Sequence, residues 1–354
     1  MLRRSFLLAI TGLASGVEMR TRITPKAVYL SSFGLGARSV REPAICLLQQ
    51  TQLNALVIDV KGDRGWIAYP SNIALAQEIG AQKIIPARNA DEVIRLLKSM
   101  GVYLIARIVV FKDNPLALAK PSLAVKNNGG RIWRDREHLA WADPFQPAVW
   151  SYNLDIADEA ARKGFDEIQF DYVRFPDARG LVFSRPNNRE NRVQAIGGFF
   201  RKARKRLAPH NVFLAGDIFG YVCWNPGDTD IGQQMETIAR DVDYVCPMLY
   251  PSGFQYGIPG YRKAAAYPYE IVKFSLDKAF ARTQVDKKHF RPWLQAFRDY
   301  AFDRRVYGPQ EIRRQIRAAE EFGSDGWMVW NPHNVYPCAA FLPKKAAVGS
   351  ETRR

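Results

Sequence analysis

Polar side chains recur in this sequence at one kind of place, the carboxyl end of a short apolar run. Ile58-Asp59-Val60-Lys61, Ala106-Arg107, Phe170-Asp171, Gly216-Asp217 and Leu294-Gln295 follow this pattern, and two further runs end on the aromatics Tyr250 and Trp330. Alternate side chains of a strand face opposite ways, so Gln169, Asp171 and Val173 share one face and Ile168, Phe170 and Tyr172 the other. A carboxylate buried at such a place is costly unless it is paired or used. Three Asp, one Arg, one Lys and one Gln converging is hard to explain as packing. The chemistry that suits them is glycosidic bond hydrolysis, which needs one ionised and one protonated carboxyl on either side of the scissile bond.

Asp171 and Asp217 are the expected pair. They fall at matching depth on consecutive strands, and adjacent strands lie about 4.8 Å apart, close to the roughly 5–5.5 Å separation of a retaining pair. Arg107, on the preceding strand, favours the charged form of Asp171. That charge and burial would raise Asp217, as a general acid requires. Asp171 is therefore read as nucleophile and Asp217 as acid/base, with the reverse assignment open. Asp59 is expected to bind a sugar hydroxyl or to hold Arg107 or Lys61. Tyr250, Gln295 and Trp330, with Lys61 and Arg107, complete the expected substrate contacts. Trp66, Trp133, Trp141 and Trp224 fall in loops after strands, where rings can stack on sugar C–H faces; taken one at a time, packing is the better account of each.

The elements that position these residues alternate along the chain. Strands are expected at 26–32, 54–60, 102–110, 167–175, 212–219, 243–250, 290–297 and 326–331. Helices are expected at 40–50, 90–100, 147–163, 191–207, 233–240, 269–281 and 309–322, and a loop of some 35 residues at 111–146. Eight strands alternating with helices predict an α/β fold, a single (β/α)8 TIM barrel over residues 26–340, whose chemistry sits at the carboxyl ends of its strands. An open doubly wound sheet fits less well, because no strand is followed by a dinucleotide-type glycine fingerprint.

Composition sets the bounds. The 354 residues are 47% hydrophobic, 12% aromatic and 24% charged, as in globular proteins, with a net charge of +16. That charge favours anionic partners, including an anionic glycan, although the basic run 201–206 reads as the solvated face of a helix. No nucleic-acid motif, zinc spacing or phosphate loop occurs. No His pair has helical ligand spacing, so neither a metal nor another cofactor is expected. The four cysteines form no C-x-x-C pair and read as free thiols, although Cys223 and Cys246 could meet. Arg3-Arg4 before the apolar run Ser5 to Gly16 has the shape of an export signal of the twin-arginine type, so residues 1–22 are expected to be a signal or a disordered N-terminus. The location it implies is periplasmic or extracellular. Residues 341–354 are expected to form a basic disordered tail. No segment is long enough to span a bilayer.

Several motifs resemble a known family. They are Asp143-Pro144 with Pro147, then the run GFDEIQFDYVRFP (164–176), LVIDVK (56–61) followed by Gly65, CPMLYPS (246–252) and GWMVWNP (326–332). Together they look like the bacterial glycoside hydrolase domains of unknown function, TIM barrels distantly similar to the α-amylase and α-galactosidase groups. The resemblance covers most of 26–337. It implies a nucleophile at Asp171. It also implies Glu on strand five and an acid on strand seven, where this chain has Asp217 and Gln295. Two other readings compete: a non-catalytic carbohydrate-binding barrel, and a lyase or aldolase using Lys61 as a Schiff-base amine.

Overall fold

The computed structural model describes residues 22–344, in which eight parallel strands close into a barrel. The strands are β1 (Lys26–Leu30), β2 (Ala55–Lys61), β3 (Tyr103–Val109), β4 (Glu167–Asp171), β5 (Phe213–Phe219), β6 (Tyr244–Met248), β7 (Trp293–Gln295) and β8 (Trp327–Trp330). Each pairs with its sequence neighbours, and β8 closes on β1 through Val28 opposite Val329. Helices follow the first seven: α1 (Arg38–Gln50), α2 (Ala90–Ser99), α3 (Pro147–Arg162), α4 (Arg189–Leu207), α5 (Met235–Ala239), α6 (Pro268–Thr283) and α7 (Pro309–Phe322).

Local chemistry sets these boundaries. Pro stands at the start of α3, α6 and α7, where a missing N–H costs nothing. The Glu311 carboxylate accepts from the Gly308 N–H to cap α7. Asp91 and Glu92 open α2 and Lys98 closes it, each matching the helix dipole. Strands covered on both faces read as nearly unbroken apolar runs, and β2 and β3 are buried throughout. Gly216 lets α4 sit close: a Cβ there would lie 2.8 Å from the Phe200 ring.

Three expectations needed correction. The 111–146 segment is not a plain loop. It holds a short helix, Asn114–Ala119, capped by Asp113, and its residues 126–127 pair antiparallel with 181–182 from the β4–α4 connection. The fourth strand ends at Asp171 rather than near Phe175, because Tyr172 adopts φ 52°, a left-handed conformation no strand can continue through. The start of the expected tail is tied down: Phe341 is buried and stacks on Trp327 at 6.1 Å, and the Lys344 N–H donates to the Gln50 carbonyl, although Leu342, Pro343 and Lys344 are exposed. The rest of the expected tail and the export signal lie outside the described residues. Cys223 and Cys246 are buried free thiols. The basic run does lie on the outer face of α4, where Arg201, Arg204 and Arg206 pair with Asp241, Asp243 and Asp155. Among the described residues no helix is long and apolar enough to cross a membrane.

The barrel interior is layered. At its amino end Arg291 and Glu167 form a fully buried ion pair at 2.6 Å; Tyr103 donates to the same Glu167 oxygen at 3.0 Å, and the guanidinium lies 3.7 Å from the centre of the Tyr244 ring. Burial pushes Glu167 up, while Arg291 and the hydrogen bonds pull it back. Above this floor Val57, Ile105, Ala215, Cys246, Trp293 and Met328 fill the middle. The acids stand above them, at the carboxyl ends. Removing one partner of a buried ion pair strands the other charge. Glu167→Ala is expected to lower stability by about 3–5 kcal/mol in urea unfolding; a loss below about 1 kcal/mol would show that the floor carries no such charge.

Candidate active site

Arg107 gathers the acids at the barrel mouth. Its Nε and Nη2 both donate to Asp171 Oδ2, at 2.9 and 2.6 Å, its Nη1 donates to Asp59 Oδ1 at 2.6 Å, and its Nη2 reaches Asp63 at 3.3 Å. Asp59 stands opposite Arg107, whereas Asp171 stands opposite Val109, one inward position further along, so the long Arg107 side chain reaches sideways to Asp59 and forward to Asp171. The remaining Asp171 oxygen accepts from the Tyr172 N–H at 2.6 Å. The left-handed turn that ends β4 aims this N–H back at the preceding side chain. Burial pushes Asp59 up, against the pull of Arg107 and of the Tyr29 hydroxyl, which donates to it at 2.5 Å.

Asp217 is different. Phe170 pairs with Gly216 across β4 and β5, which sets Asp217 beside Asp171 at the same depth. It is 1% exposed. Its Oδ1 accepts from Trp293 Nε1 at 2.9 Å, and its Oδ2 has no hydrogen-bond partner. Burial, and then the charge of Asp171, drive its pKa well above the usual carboxylate range. The magnitudes decide this: one hydrogen bond contributes roughly 1 kcal/mol, whereas desolvating a charge costs several. Burial and the neighbouring charge therefore favour the protonated form of Asp217, beside a carboxylate paired with arginine. Tyr250 stands near both: burial, then Asp217 and Asp171, push its phenol up and keep it a donor.

Aromatic rings wall the mouth on two sides. On one, Tyr250 stacks on Trp330 at 5.6 Å, Phe297 meets Trp330 edge-on at 5.1 Å, and Tyr300 stacks on Phe297 at 6.1 Å. On the other, Trp141 lies against Tyr172 at 5.7 Å and Trp133 at 6.3 Å, with Arg174 over both Trp141 and Tyr172.

The structure therefore brings together Asp59, Arg107, Asp171, Asp217, Tyr250 and Trp330, and leaves out Lys61. The register slips between Asp59 and Lys61, so that Lys61 stands opposite Ile108. This bulge turns its side chain outward. Its ammonium, fully buried, pairs with Asp113 at 2.6 Å and donates to the Val109 and Val110 carbonyls and Asn153. Burial lowers its pKa, and Asp113 pulls it back up. The amide of Gln295 is taken up by Ser252 and the Phe297 carbonyl. Asn331 is taken up by the Ala296 carbonyl and the His333 N–H, and Trp224 donates to Ser275 on α6.

Sequence reasoning missed Tyr29, Asp63 and Trp293. Tyr29 and Trp293 were legible by parity, since each shares the inward face of its strand. Asp63 lies beyond the end of β2, and no spacing announces it. Among the described residues no group of three or more His, Cys, Asp and Glu is arranged to hold a metal ion.

The fold has counterparts. The chain superposes on the glycoside hydrolase domain of PgaB (BpsB) from Bordetella bronchiseptica with a TM-score of 0.65, at 15% identity, covering 91% of this chain and 99% of that one. It superposes on a β-galactosidase from the psychrophilic Marinomonas ef1 with a TM-score of 0.60, at 12% identity, covering 89% and 58%. For the spore cortex-lytic enzyme SleL of Bacillus megaterium the TM-score is 0.53, at 12% identity, covering 90% and 73%. At these identities the likeness is one of fold, the closed (β/α)8 barrel. No curated protein matches the chain. The sequence profile of a family described as "putative glycosyl hydrolase domain" matches residues 27–336. That span takes in all eight strands bar the first residue of β1, and the protein belongs to this family.

Proposed function

We propose that the protein is a retaining glycoside hydrolase in which Asp217 is the acid/base and Asp171 the nucleophile. The observation that carries this reading is the contrast between two neighbouring aspartates, one buried with a free oxygen and a raised pKa, the other paired with Arg107. In the first step Asp217 gives its proton to the glycosidic oxygen, the C1–O bond breaks, and an Asp171 oxygen bonds to C1. The leaving sugar departs as an alcohol. In the second step Asp217, now a carboxylate, takes a proton from water as that water attacks C1. The ester to Asp171 breaks, and both acids return to their starting states. One negative charge is shared by the pair throughout. Asp217 ionises only when Asp171 has lost its charge to the ester, which removes the repulsion that raised Asp217 in the free enzyme. The Trp293 N–H supports the carboxylate form in between. Asp59 and Tyr29 hold Arg107 from the far side, and Tyr250 and Trp330 offer a donor and a stacking face to the sugar. In this scheme Lys61 and Gln295 act at one remove, by bracing the loops around the site. The Arg3-Arg4 start and its apolar run would place the reaction outside the cytoplasm.

One observation favours a second reading. Arg107 donates twice to a single Asp171 oxygen, and so tight a grip would weaken a nucleophile. A carbohydrate-binding barrel without turnover would keep the same pocket.

A glycan-library screen separates the two. On the library member the wild type cleaves, Asp217→Asn and Asp171→Asn are each expected to lower kcat by about 10²–10⁴. Full turnover in both variants sinks the assignment, and binding without cleavage by the wild type selects the second reading.

The raised pKa of Asp217 has a stability signature as well. Unfolded, this carboxyl titrates near 3.9, roughly the value of a free Asp. Folded, it titrates higher, so the stability from burying it neutral is complete below about 3.9 and is lost as pH rises through the folded pKa. Asn carries no such proton. The melting temperature of Asp217→Asn relative to wild type is therefore expected to climb between pH 4 and pH 8; a difference flat in pH contradicts a raised Asp217.

A further inference from the structure

Beyond the mouth, a line of rings, exposed at its two ends and half-buried at Tyr221 between them, leads away from Asp217. Phe219 lies two residues on, on the same inward face of β5, and is 40% exposed. Its ring is 6.1 Å from Tyr221, which in turn is 6.4 Å from Tyr256, and Tyr256 is 84% exposed. Such exposure of a large ring gains nothing for folding, and two further features show that Tyr256 is mounted rather than loose. The Tyr221 hydroxyl accepts from the Tyr256 N–H at 2.9 Å and donates to the Gly257 carbonyl at 3.2 Å. Gly257 has φ 72°, and a Cβ there would lie 2.6 Å from Arg262 and Tyr261 backbone atoms, so the turn is closed tightly on itself. Beside it runs a shallow cleft of about 510 Å³ lined by Tyr256, Ile258, Tyr261 and Arg262.

We infer that Phe219, Tyr221 and Tyr256 form an extended binding track for a linear polysaccharide of equatorially linked pyranoses, whose flat C–H faces stack on successive rings while Arg262 meets hydroxyls beside them. The inference rests on the glycosidase reading for its starting point and deepens it: the substrate is a polymer held several units beyond the bond that breaks. The occupant is a glycan rather than a protein segment because the track starts at Phe219, two residues beyond Asp217 on the same face of β5. Stacked sugar rings also need a spaced row of rigid aromatics rather than a broad apolar patch.

Affinity electrophoresis through native gels containing hydroxyethylcellulose, glycol chitin or arabinoxylan reads binding without hydrolysis. Wild type and Asp217→Asn are both expected to be retarded by at least one of the three. Tyr256→Ala is expected to bind that polymer about tenfold more weakly, the loss of one stacking contact, with an unchanged melting temperature. Leu96→Ala, a control for the 49% exposed Leu96 on the outer face of α2, keeps full affinity. Full affinity in Tyr256→Ala, an equal loss in Leu96→Ala, or no retardation of the wild type by any of the three overturns the track. Because the measurement needs no turnover, its failure is distinct from failure of the Asp171 and Asp217 assignment, which the cleavage assay reads.

Discussion

A single guanidinium with too many carboxylates around it governs the mouth of this barrel. Arg107 satisfies Asp171, Asp59 and Asp63 at once, and a fourth acid, Asp217, stands beside them with no cation of its own. Asp63 keeps contact with solvent, but three buried acids do not readily all ionise against one positive charge. Burial and the lack of a cation favour the protonated form at Asp217. The division of labour proposed for Asp171 and Asp217 would thus follow from a shortage of positive charge and not from any difference between the two side chains.

The barrel enforces that shortage. Parallel register sets Asp59 level with Arg107 on β2 and β3, and Asp171 level with Asp217 one inward position beyond them on β4 and β5, and closure leaves no route by which water could dilute their interaction from below. The Arg291–Glu167 pair seals the opposite end of the interior, and its own balance of charge keeps it from neutralising the acids above. The glycosidase scheme uses the same constraint dynamically. A proton leaves Asp217 only when the charge on Asp171 is consumed, so the environment suits each acid in both half-reactions.

Lys61 shows how the scaffold braces the site from outside. The β-bulge before it directs the ammonium into the space between β3 and α3, where it ties together the Val109 and Val110 carbonyls, Asp113 and Asn153. Val110 also donates to the backbone carbonyl of Asp171. A buried lysine thus steadies the strand ends that carry Arg107 and the nucleophile candidate without touching either. Its neighbour Asp113 caps the short helix that opens the β3–α3 excursion, and that excursion carries the Trp133 and Trp141 wall. One ionic link therefore couples the barrel wall to the surface that would meet a sugar.

The sequence alone was sufficient for the period of the chain and for the level of the acids. Alternating runs of apolar residues and amphipathic helices announce eight strands. Because side chains alternate with period two, Asp59, Arg107, Asp171 and Asp217 had to share the inward face wherever their strands stayed regular. What parity could not supply were the irregularities: the bulge that turns Lys61 away, the left-handed Tyr172 that ends β4 and returns its N–H to Asp171, and the contacts that take up Gln295. Tertiary structure also recruited Asp63 to Arg107 and Trp293 to Asp217, and mounted Tyr256 on a closed turn. These depend on which residues of distant segments meet, and a local pattern carries no information about a partner that closure brings from the other side of the barrel.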